Sequence, residues 1–311
     1  MRYGAMTMAA VSFLLAACGG ERTGEVADVS GSIEIDGSST VYPISQAVAE
    51  EFGIATGGNV RVTVGFSGTG GGFRRFCAGE TTISNASRAI KDDERQLCEQ
   101  AGVDPLELQV GIDGLAVVVN PQNTMVQCLT VEELRRIWEP GSTVGQWSEV
   151  REGLPAQPLR LYGPGTNSGT FDYFTEAIVG EEDASRPDYS ASEDDNVLVQ
   201  GVAGDVNALG YFGYAYYIEN QETLRAIGVD NGSGCVEPVP ETVASGEYAP
   251  LSRPLFIYVN RSHLEQPHVI EFVRLYLENA AELVAEVGYV PMEAERYQAS
   301  LQELPAGRGT E

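Results

Sequence analysis

The stretch Asp36-Gly37-Ser38-Ser39-Thr40-Val41-Tyr42-Pro43 lies between a predicted strand and a predicted helix. Before it, apolar and polar residues alternate over Ser32–Ile35, which is typical of a strand. After it, apolar residues recur at helical spacing from Val41 to Phe52. Small hydroxyl residues therefore lie at a turn where free backbone N–H groups and the positive end of a helix dipole meet. Such a turn favours an anion.

Two later turns have the same design, in which Ser, Thr and Gly separate a strand pattern from a helix pattern. In Gly65–Gly72 the glycines allow close backbone approach around Ser67 and Thr69. Gly163–Thr170 ends in Ser168-Gly169-Thr170, which offers two hydroxyls and a run of N–H groups. One such turn alone would be interpreted as an ordinary helix N-cap. Three in one chain favour a shared oxyanion site, because many donors can replace the hydration shell of the anion.

The rest of the chain alternates between strand and helix patterns, without a solenoid-like repeat. Leu106–Val110 and Gly114–Asn120 are apolar runs of the kind found in buried parallel sheets. Thr130 and Glu133 have the spacing of a capping box, and Pro267–Val287 is a long amphipathic pattern. This order predicts an α/β fold with largely parallel sheets. In such folds ligands bind at the carboxyl ends of strands, where the three turns lie.

The first 17 residues have the features of an export signal, with one charge at Arg2 and then an apolar run. The run is shorter than the roughly 20 residues that a membrane span needs. Leu15–Cys18 resembles a bacterial lipobox, which implies cleavage before Cys18 and lipidation of that cysteine. The alternative is a plain secretory signal with a chance cysteine. Residues 18–30 are polar and aperiodic, and we expect a flexible tether to a membrane surface.

The chain is strongly acidic, with a formal net charge of −26 and a single lysine, Lys91. Nucleic acid is not an expected partner, because binding the phosphate backbone requires a basic face. Any anion site in this chain must act locally, against an unfavourable long-range field. The length after the export signal is sufficient for two domains.

Four cysteines follow Cys18, and an even number in an exported chain predicts two disulfides with three possible pairings. We favour Cys77–Cys98 together with Cys128–Cys235, because the first pair brackets a short segment that can fold back on itself. Metal binding is the competing interpretation. It has little support, because the chain has no CxxC pair and its two histidines lie far away in sequence.

Taken together, the motifs resemble the phosphate-binding protein of the bacterial phosphate ABC importer. The resembling stretches occur in order and cover nearly all of the chain after the export signal. They are Asp36–Pro43, Gly68–Phe73, Ser84–Ile90, Asn167–Phe171, Gly210–Tyr217 and Pro250–Val259. The resemblance implies a periplasmic-binding-protein type II-like α/β fold, in which crossover strands join two lobes and the ligand lies in the cleft. It implies a first lobe of residues 31–112 plus 252–311 and a second lobe of residues 113–251.

The same resemblance implies that all three turns donate hydrogen bonds to phosphate. The implied ligand-binding residues are Ser39, Thr40, Val41, Ser67, Gly68, Thr69, Gly70, Asn167, Ser168, Gly169 and Thr170. In the first turn the donors are the Thr40 hydroxyl and the N–H groups of Thr40 and Val41. In the second turn Thr69 is the preferred hydroxyl and Ser67 the alternative.

Two positions depart from the family pattern. Many members have an aspartate after the Ala-Ser pair, where it accepts a proton from phosphate and helps to reject sulfate, but this chain has Arg88. Those members also have an arginine four residues before the Ser-Gly-Thr serine, where this chain has Pro164. We expect Arg88 to supply the guanidinium to the ligand from a different loop. The alternative is a surface arginine paired with a carboxylate. The proton acceptor stays open, with Asp36, Asp113 and Asp172 as candidates by position.

The expected function is extracytoplasmic binding of inorganic phosphate, without chemistry, metal or cofactor, by a monomer that closes its lobes and delivers the ligand to a permease. A hydrolase would need a nucleophile with a base, but both histidines fall near the C-terminal helix, away from the three turns, and the chain has no G-x-S-x-G elbow. A P-loop is excluded because the chain has no Gly-Lys pair. Two alternatives remain. One is a binding protein for sulfate, molybdate or arsenate, and the other is an adhesin or phosphate scavenger without a transporter.

Overall fold

The computed structural model describes residues 29–166 and 168–305. The predicted export signal, the lipidation site Cys18, most of the predicted tether and the predicted ligand residue Asn167 lie outside the described residues.

The described residues form twelve strands in two sheets. In chain order the strands are β1 (Gly31–Gly37), β2 (Val60–Val64), β3 (Ile83–Ala86), β4 (Pro105–Val119), β5 (Cys128–Thr130), β6 (Arg160–Pro164), β7 (Ser190–Ser192), β8 (Ala208–Gly213), β9 (Arg225–Ala226), β10 (Gly228–Asp230), β11 (Cys235–Val236) and β12 (Ser252–Asn260). The larger sheet has the order β2-β1-β3-β12-β4-β8-β6-β7, with β9 beside β4. The smaller sheet has the order β11-β10-β5.

Eleven α-helices in the same part of the chain pack on these sheets. In chain order they are α1 (Tyr42–Ala55), α2 (Thr69–Cys77), α3 (Asp92–Gln100), α4 (Val131–Trp138), α5 (Trp147–Val150), α6 (Gly169–Phe174), α7 (Asp195–Gly204), α8 (Tyr214–Glu219), α9 (Pro240–Ser245), α10 (Pro267–Glu286) and α11 (Ala294–Glu303). A π-helical turn over Thr175–Val179 extends α6, and a 3₁₀ turn over Arg261–Glu265 precedes α10. Helices α1, α2 and α6 begin at the three turns, as predicted.

The larger sheet is mixed, so the prediction of largely parallel pairing was wrong for its centre. Strand β1 is parallel to β2 and β3, and β6 is parallel to β7 and β8. Strand β12 is antiparallel to β3 and β4, and β4 is antiparallel to β8. The two apolar runs also form one continuous strand, β4. A continuous apolar sequence indicates that both faces of a strand are buried. Both faces of β4 are buried, although its neighbours are antiparallel.

Strands β4 and β12 are the crossovers between the two lobes. Strand β4 pairs with β12 from Pro105 to Gly114 and with β8 from Leu115 onwards, so its partner changes in mid-strand. Strand β12 brings the chain back beside β3 in the first half of the sheet. The predicted lobe boundaries, 112/113 and 251/252, lie beside this exchange, and we retain them as a proposal.

Both disulfides have the favoured pairing. Cys77–Cys98 joins α2 to α3, and Cys128–Cys235 joins β5 and β11, the two outer strands of the smaller sheet, across β10. The predicted capping box is also confirmed at the start of α4. Thr130 Oγ1 accepts a hydrogen bond from Glu133 N at 3.1 Å, and Glu133 Oε2 accepts one from Thr130 N at 2.9 Å.

A buried polar cluster holds the first turn in place. Ser45 Oγ in α1 donates to Asn85 Oδ1 in β3 at 2.8 Å, and lies 3.1 Å from the hydroxyl of Tyr276 in α10. All three side chains are buried in the core. The carbonyl oxygen of Asn85 also accepts a hydrogen bond from Ser38 N at 2.9 Å. The start of α1 and the preceding turn are thereby fixed to the sheet.

We expect Ser45→Ala to lower the free energy of unfolding by about 1–3 kcal/mol, because two buried polar groups lose a hydrogen-bond partner. Urea denaturation with an unchanged m value measures this loss. Ser300→Ala is the matched control, since Ser300 is a helical serine of α11 with no side-chain hydrogen bond among the described residues. Equal changes in the two variants would contradict the role of the cluster.

Candidate functional site

Two cavities open beside the first turn. The first cavity has a volume of about 520 Å³ and the second about 540 Å³. Ser39, Thr40 and Asp172 line both, so the cavities meet at these residues. The second turn lines the first cavity, and the third turn lines the second cavity. The structure thus brings all three turns together around Thr40, with the first turn in the middle.

The first turn presents a hydroxyl and two backbone N–H groups. Gly37 has a φ of +138°, and a Cβ there would lie 2.1 Å from the carbonyl oxygen of Asn85, so only glycine fits this approach. The N–H groups of Thr40 and Val41 find no acceptor among the described residues. The side chain of Val41 is fully buried, so this residue can reach a ligand only through its backbone.

The second turn packs directly against the first. A Cβ on Gly72 would lie 2.5 Å from Gly37 Cα, so α2 approaches β1 as closely as two backbones can. Thr69 Oγ1 accepts a hydrogen bond from Ser87 N at 3.2 Å and lies 3.1 Å from Ser87 Oγ. Ser87 also lines the first cavity, and sequence reasoning did not select it as a ligand residue. Its position in the quoted Ser84–Ile90 motif was the available signal.

The third turn caps α6 and approaches the first turn from the other side. Ser168 Oγ accepts a hydrogen bond from Thr170 N at 3.2 Å, which leaves the Ser168 hydroxyl proton available to a ligand. A Cβ on Gly169 would lie 3.9 Å from Thr40 Oγ1. A side chain at this position would therefore touch the first-turn hydroxyl, so the first and third turns face each other at close range.

Arg253 places a guanidinium beside Thr40, and sequence reasoning missed it. Arg253 lies on β12 opposite Asp113 of β4. Its Nε donates to Asp113 Oδ2 at 3.2 Å, and its Nη2 donates to Thr40 Oγ1 at 2.9 Å. Its side chain is 14% exposed, and its Cζ lies 3.6 Å from the ring centroid of Tyr173. The available signal was a basic residue at the start of an otherwise apolar strand.

Arg88 lines the first cavity but does not present a free guanidinium. Its two Nη atoms each lie 2.8 Å from a carboxylate oxygen of Glu94, in a bidentate pair. These hydrogen bonds raise the pKa of Arg88. The geometry agrees with the alternative of an arginine paired with a carboxylate, since the residue that contacts the first turn is Arg253.

The three candidate proton acceptors have different surroundings. Asp36 lines neither cavity, because its carboxylate binds Arg75 and the N–H of Gly37. Asp113 lines the second cavity, where burial raises its pKa and the Arg253 guanidinium opposes that rise. Asp172 lines both cavities, and burial together with Asp183 and Glu182 raises its pKa to about 6. The structure thus brings Asp113 and Asp172 to the site, and not Asp36.

The sequence model of the PBP superfamily domain matches residues 23–279. The chain belongs to this superfamily. It is 50% identical over 297 residues to Protein SphX of Synechocystis sp., which covers 94% of this chain and 86% of that protein. It is 35% identical over 300 residues to Phosphate-binding protein PstS of Staphylococcus saprophyticus, covering 96% of this chain and 92% of that one.

Among solved structures, a possible phosphate binding protein from Planctomyces limnophilus matches this fold with a TM-score of 0.85 and 51% identity. The match covers 89% of this chain and 98% of that chain. The α/β fold is therefore shared with a solved structure. Within residues 29–166 and 168–305, no helix has the length and apolar character needed to cross a membrane.

We expect the stability of the fold to depend on pH through Asp172. Its pKa is about 6 in the folded protein against an ordinary 3.8, so the folded state binds the proton more tightly than the unfolded chain. The contribution of this group to stability is therefore greatest below about pH 4, falls as the pH rises to about 6 and is constant above that. The variant Asp172→Asn lacks this titrating group, so its stability should not show this decrease. The stability of the variant relative to wild type should therefore increase as the pH rises from about 4 to about 6.

Unfolding measured from pH 4 to pH 8 tests this expectation. Glu222→Gln removes an exposed carboxylate outside both cavities and serves as the control. A difference between Asp172→Asn and wild type that stays constant with pH would show that the carboxyl titrates as in the unfolded chain.

Proposed function

We propose that this protein binds inorganic phosphate where the three turns meet and presents it to an ABC permease for import. The observation that carries the proposal is the Thr40 hydroxyl, which accepts a hydrogen bond from Arg253 beside the unpaired N–H groups of the first turn. Because Thr40 Oγ1 accepts from the guanidinium, its own proton is free to point toward an anion.

Arg253 retains donors for the ligand after its protein contacts are made. A guanidinium has five N–H groups, of which one is used for Asp113 and one for Thr40. The Nη1 atom lies 3.9 Å from Glu176 Oε2, which is too long for a hydrogen bond. Charge-assisted hydrogen bonds from such a group are about twice as strong as neutral ones. A local donor of this kind explains how an anion site functions in a chain of net charge −26.

The relatives support phosphate over the alternative oxyanions. The Staphylococcus saprophyticus relative is named as a phosphate-binding protein, and the Planctomyces limnophilus structure as a possible one. Sulfate, molybdate and arsenate have the same tetrahedral shape, so shape alone does not select among them. Selection of phosphate against sulfate and molybdate, which carry no proton near neutral pH, requires an acceptor for the phosphate proton.

We assign that acceptor role to Asp172. It lies where the two cavities meet, and none of the salt bridges among the described residues includes it, since Arg253 pairs with Asp113 and Glu176. Asp113 is already engaged by Arg253, and Asp36 by Arg75. An ionised Asp172 accepts a hydrogen bond from a protonated phosphate oxygen and repels the bare oxygens of sulfate.

The remaining parts of the proposal concern location and partners. Residues 1–17 direct export, and lipidated Cys18 anchors a monomer to a bacterial membrane through the tether of residues 18–30. The lobes of residues 31–112 plus 252–311 and of residues 113–251 close on the anion without chemical change. A surface phosphate scavenger without a permease is the second candidate, and the lipobox favours the transporter component.

Titration calorimetry with phosphate and sulfate tests the binding site. We expect Arg253→Gln to weaken phosphate binding by roughly 10- to 100-fold, because a charged hydrogen-bond donor is lost. Arg88→Gln is the matched control and should weaken binding less, since its guanidinium is engaged by Glu94. Thr40→Ala and Ser168→Ala should each weaken binding as well.

The double variant Asp113→Asn/Arg253→Gln separates binding from stability, because it avoids leaving a buried carboxylate unpaired. If the double variant is folded and binds phosphate like wild type, the assignment of the site is wrong. If Arg88→Gln weakens phosphate binding as much as Arg253→Gln does, the guanidinium that binds the ligand is that of Arg88.

We expect Asp172→Asn to reduce the ratio of phosphate affinity to sulfate affinity at pH 8, mainly by increasing the affinity for sulfate. The amide removes the negative charge that repels a ligand without a proton, so sulfate affinity should rise. Competition calorimetry at pH 8 measures the ratio, with Glu222→Gln as the control. A preference that is unchanged in Asp172→Asn would assign proton recognition to another group.

A further inference from the structure

Tyr173 covers one face of the Arg253 guanidinium. It lies in α6, three residues after Thr170 of the third turn, and is 4% exposed. The Arg253 Cζ lies 3.6 Å from the centroid of its ring. The Tyr173 hydroxyl donates to the carbonyl oxygen of Pro250 at 2.8 Å, which fixes the ring beside the start of β12.

The guanidinium is therefore restrained from three directions. Asp113 holds the Nε edge, Thr40 accepts from Nη2, and the Tyr173 ring lies against the flat face. Asp113 belongs to a crossover strand, Thr40 to the first turn and Tyr173 to the helix that follows the third turn. The orientation of one side chain thus depends on both lobes.

A competing carboxylate makes this restraint necessary. Glu176 lies one turn further along the same helical segment, and its Oε2 is 3.9 Å from Arg253 Nη1. A small rotation of the guanidinium would tighten this long ion pair into a direct hydrogen bond, which would occupy a donor that an anion needs. An aromatic ring stacked on the guanidinium opposes such a rotation, and contacts of this kind contribute about 0.5–2 kcal/mol, equivalent to a factor of roughly 2 to 30 in affinity.

We propose that Tyr173 is a positioning residue of the anion site, whose ring holds Arg253 in the orientation that leaves its free N–H groups to the ligand. The inference rests on the proposed role of Arg253 in phosphate binding. The contact that orients Arg253 is the face of the Tyr173 ring, and the Tyr173 hydroxyl only anchors this ring to Pro250.

Phosphate titration calorimetry on the whole chain tests this role. We expect Tyr173→Leu to weaken phosphate binding by about tenfold, and Tyr173→Phe, which keeps the ring, by no more than about threefold. In the Arg253→Gln background, Tyr173→Leu should cause little further loss, because a residue that acts through Arg253 has nothing left to position.

Phe174→Leu is the control for core packing. Phe174 is the next residue of α6, is fully buried and stacks on Tyr211, whereas the ring that lies against Arg253 is that of Tyr173. The variant Phe174→Leu should lower the melting temperature as much as Tyr173→Leu does, without weakening phosphate binding. Equal losses of affinity in the two leucine variants would make Tyr173 a packing residue and overturn the proposal.

The other outcomes are equally decisive. Tyr173→Leu with wild-type affinity, or Tyr173→Phe as weak as Tyr173→Leu, overturns the role of the ring. Additive losses in the double variant with Arg253→Gln show that Tyr173 does not act through Arg253. If Arg253→Gln itself binds phosphate like wild type, the proposed function of the site fails, and that result is separate from any result at Tyr173.

Discussion

The hydrogen bond from Arg253 to Thr40 joins a crossover strand to the first turn, and the geometry of the site depends on it. The bond is possible because the buried carboxylate of Asp113 balances the charge of the guanidinium at 3.2 Å. Burying an ion pair is costly, and its net contribution to stability is small or negative. The contribution of this ion pair is to hold the guanidinium in position. The pair cancels most of the local charge and still leaves N–H groups that face the cavity.

The mixed sheet is what places this pair at the cleft. Strands β4 and β12 run antiparallel side by side, and Arg253 faces Asp113 just before β4 exchanges β12 for β8 as its partner. The same exchange separates the two halves of the sheet. The charged pair therefore lies at the connection between the lobes, next to the turns that both lobes contribute. An anion held there is in contact with the part of the fold that links lobe orientation to the ligand.

The features that sequence reasoning predicted are those specified by residues close in the chain. The three strand-to-helix turns, the capping box of Thr130 and Glu133 and the short Cys77–Cys98 loop all depend on local spacing. Arg253 was missed because its partners, Thr40 and Asp113, are 213 and 140 residues away. Strand direction was missed because an apolar run reports burial alone. The pairing of Arg88 with Glu94, six residues apart, was within reach of the sequence.

In the site as we propose it, selectivity depends on hydrogen-bond matching more than on net charge. Beside the paired Arg253 and Asp113, the partners proposed for a ligand are neutral hydroxyls and N–H groups, the free guanidinium donors and the carboxylate of Asp172. Other charged side chains, among them Arg74, Lys91 and Glu182, also line the first cavity. An oxyanion without a proton satisfies the donors and is repelled by the carboxylate. An oxyanion that carries one proton satisfies both kinds of partner. A strongly acidic protein can thus hold an anion, because the carboxylate that would oppose most anions becomes a hydrogen-bond acceptor for this one.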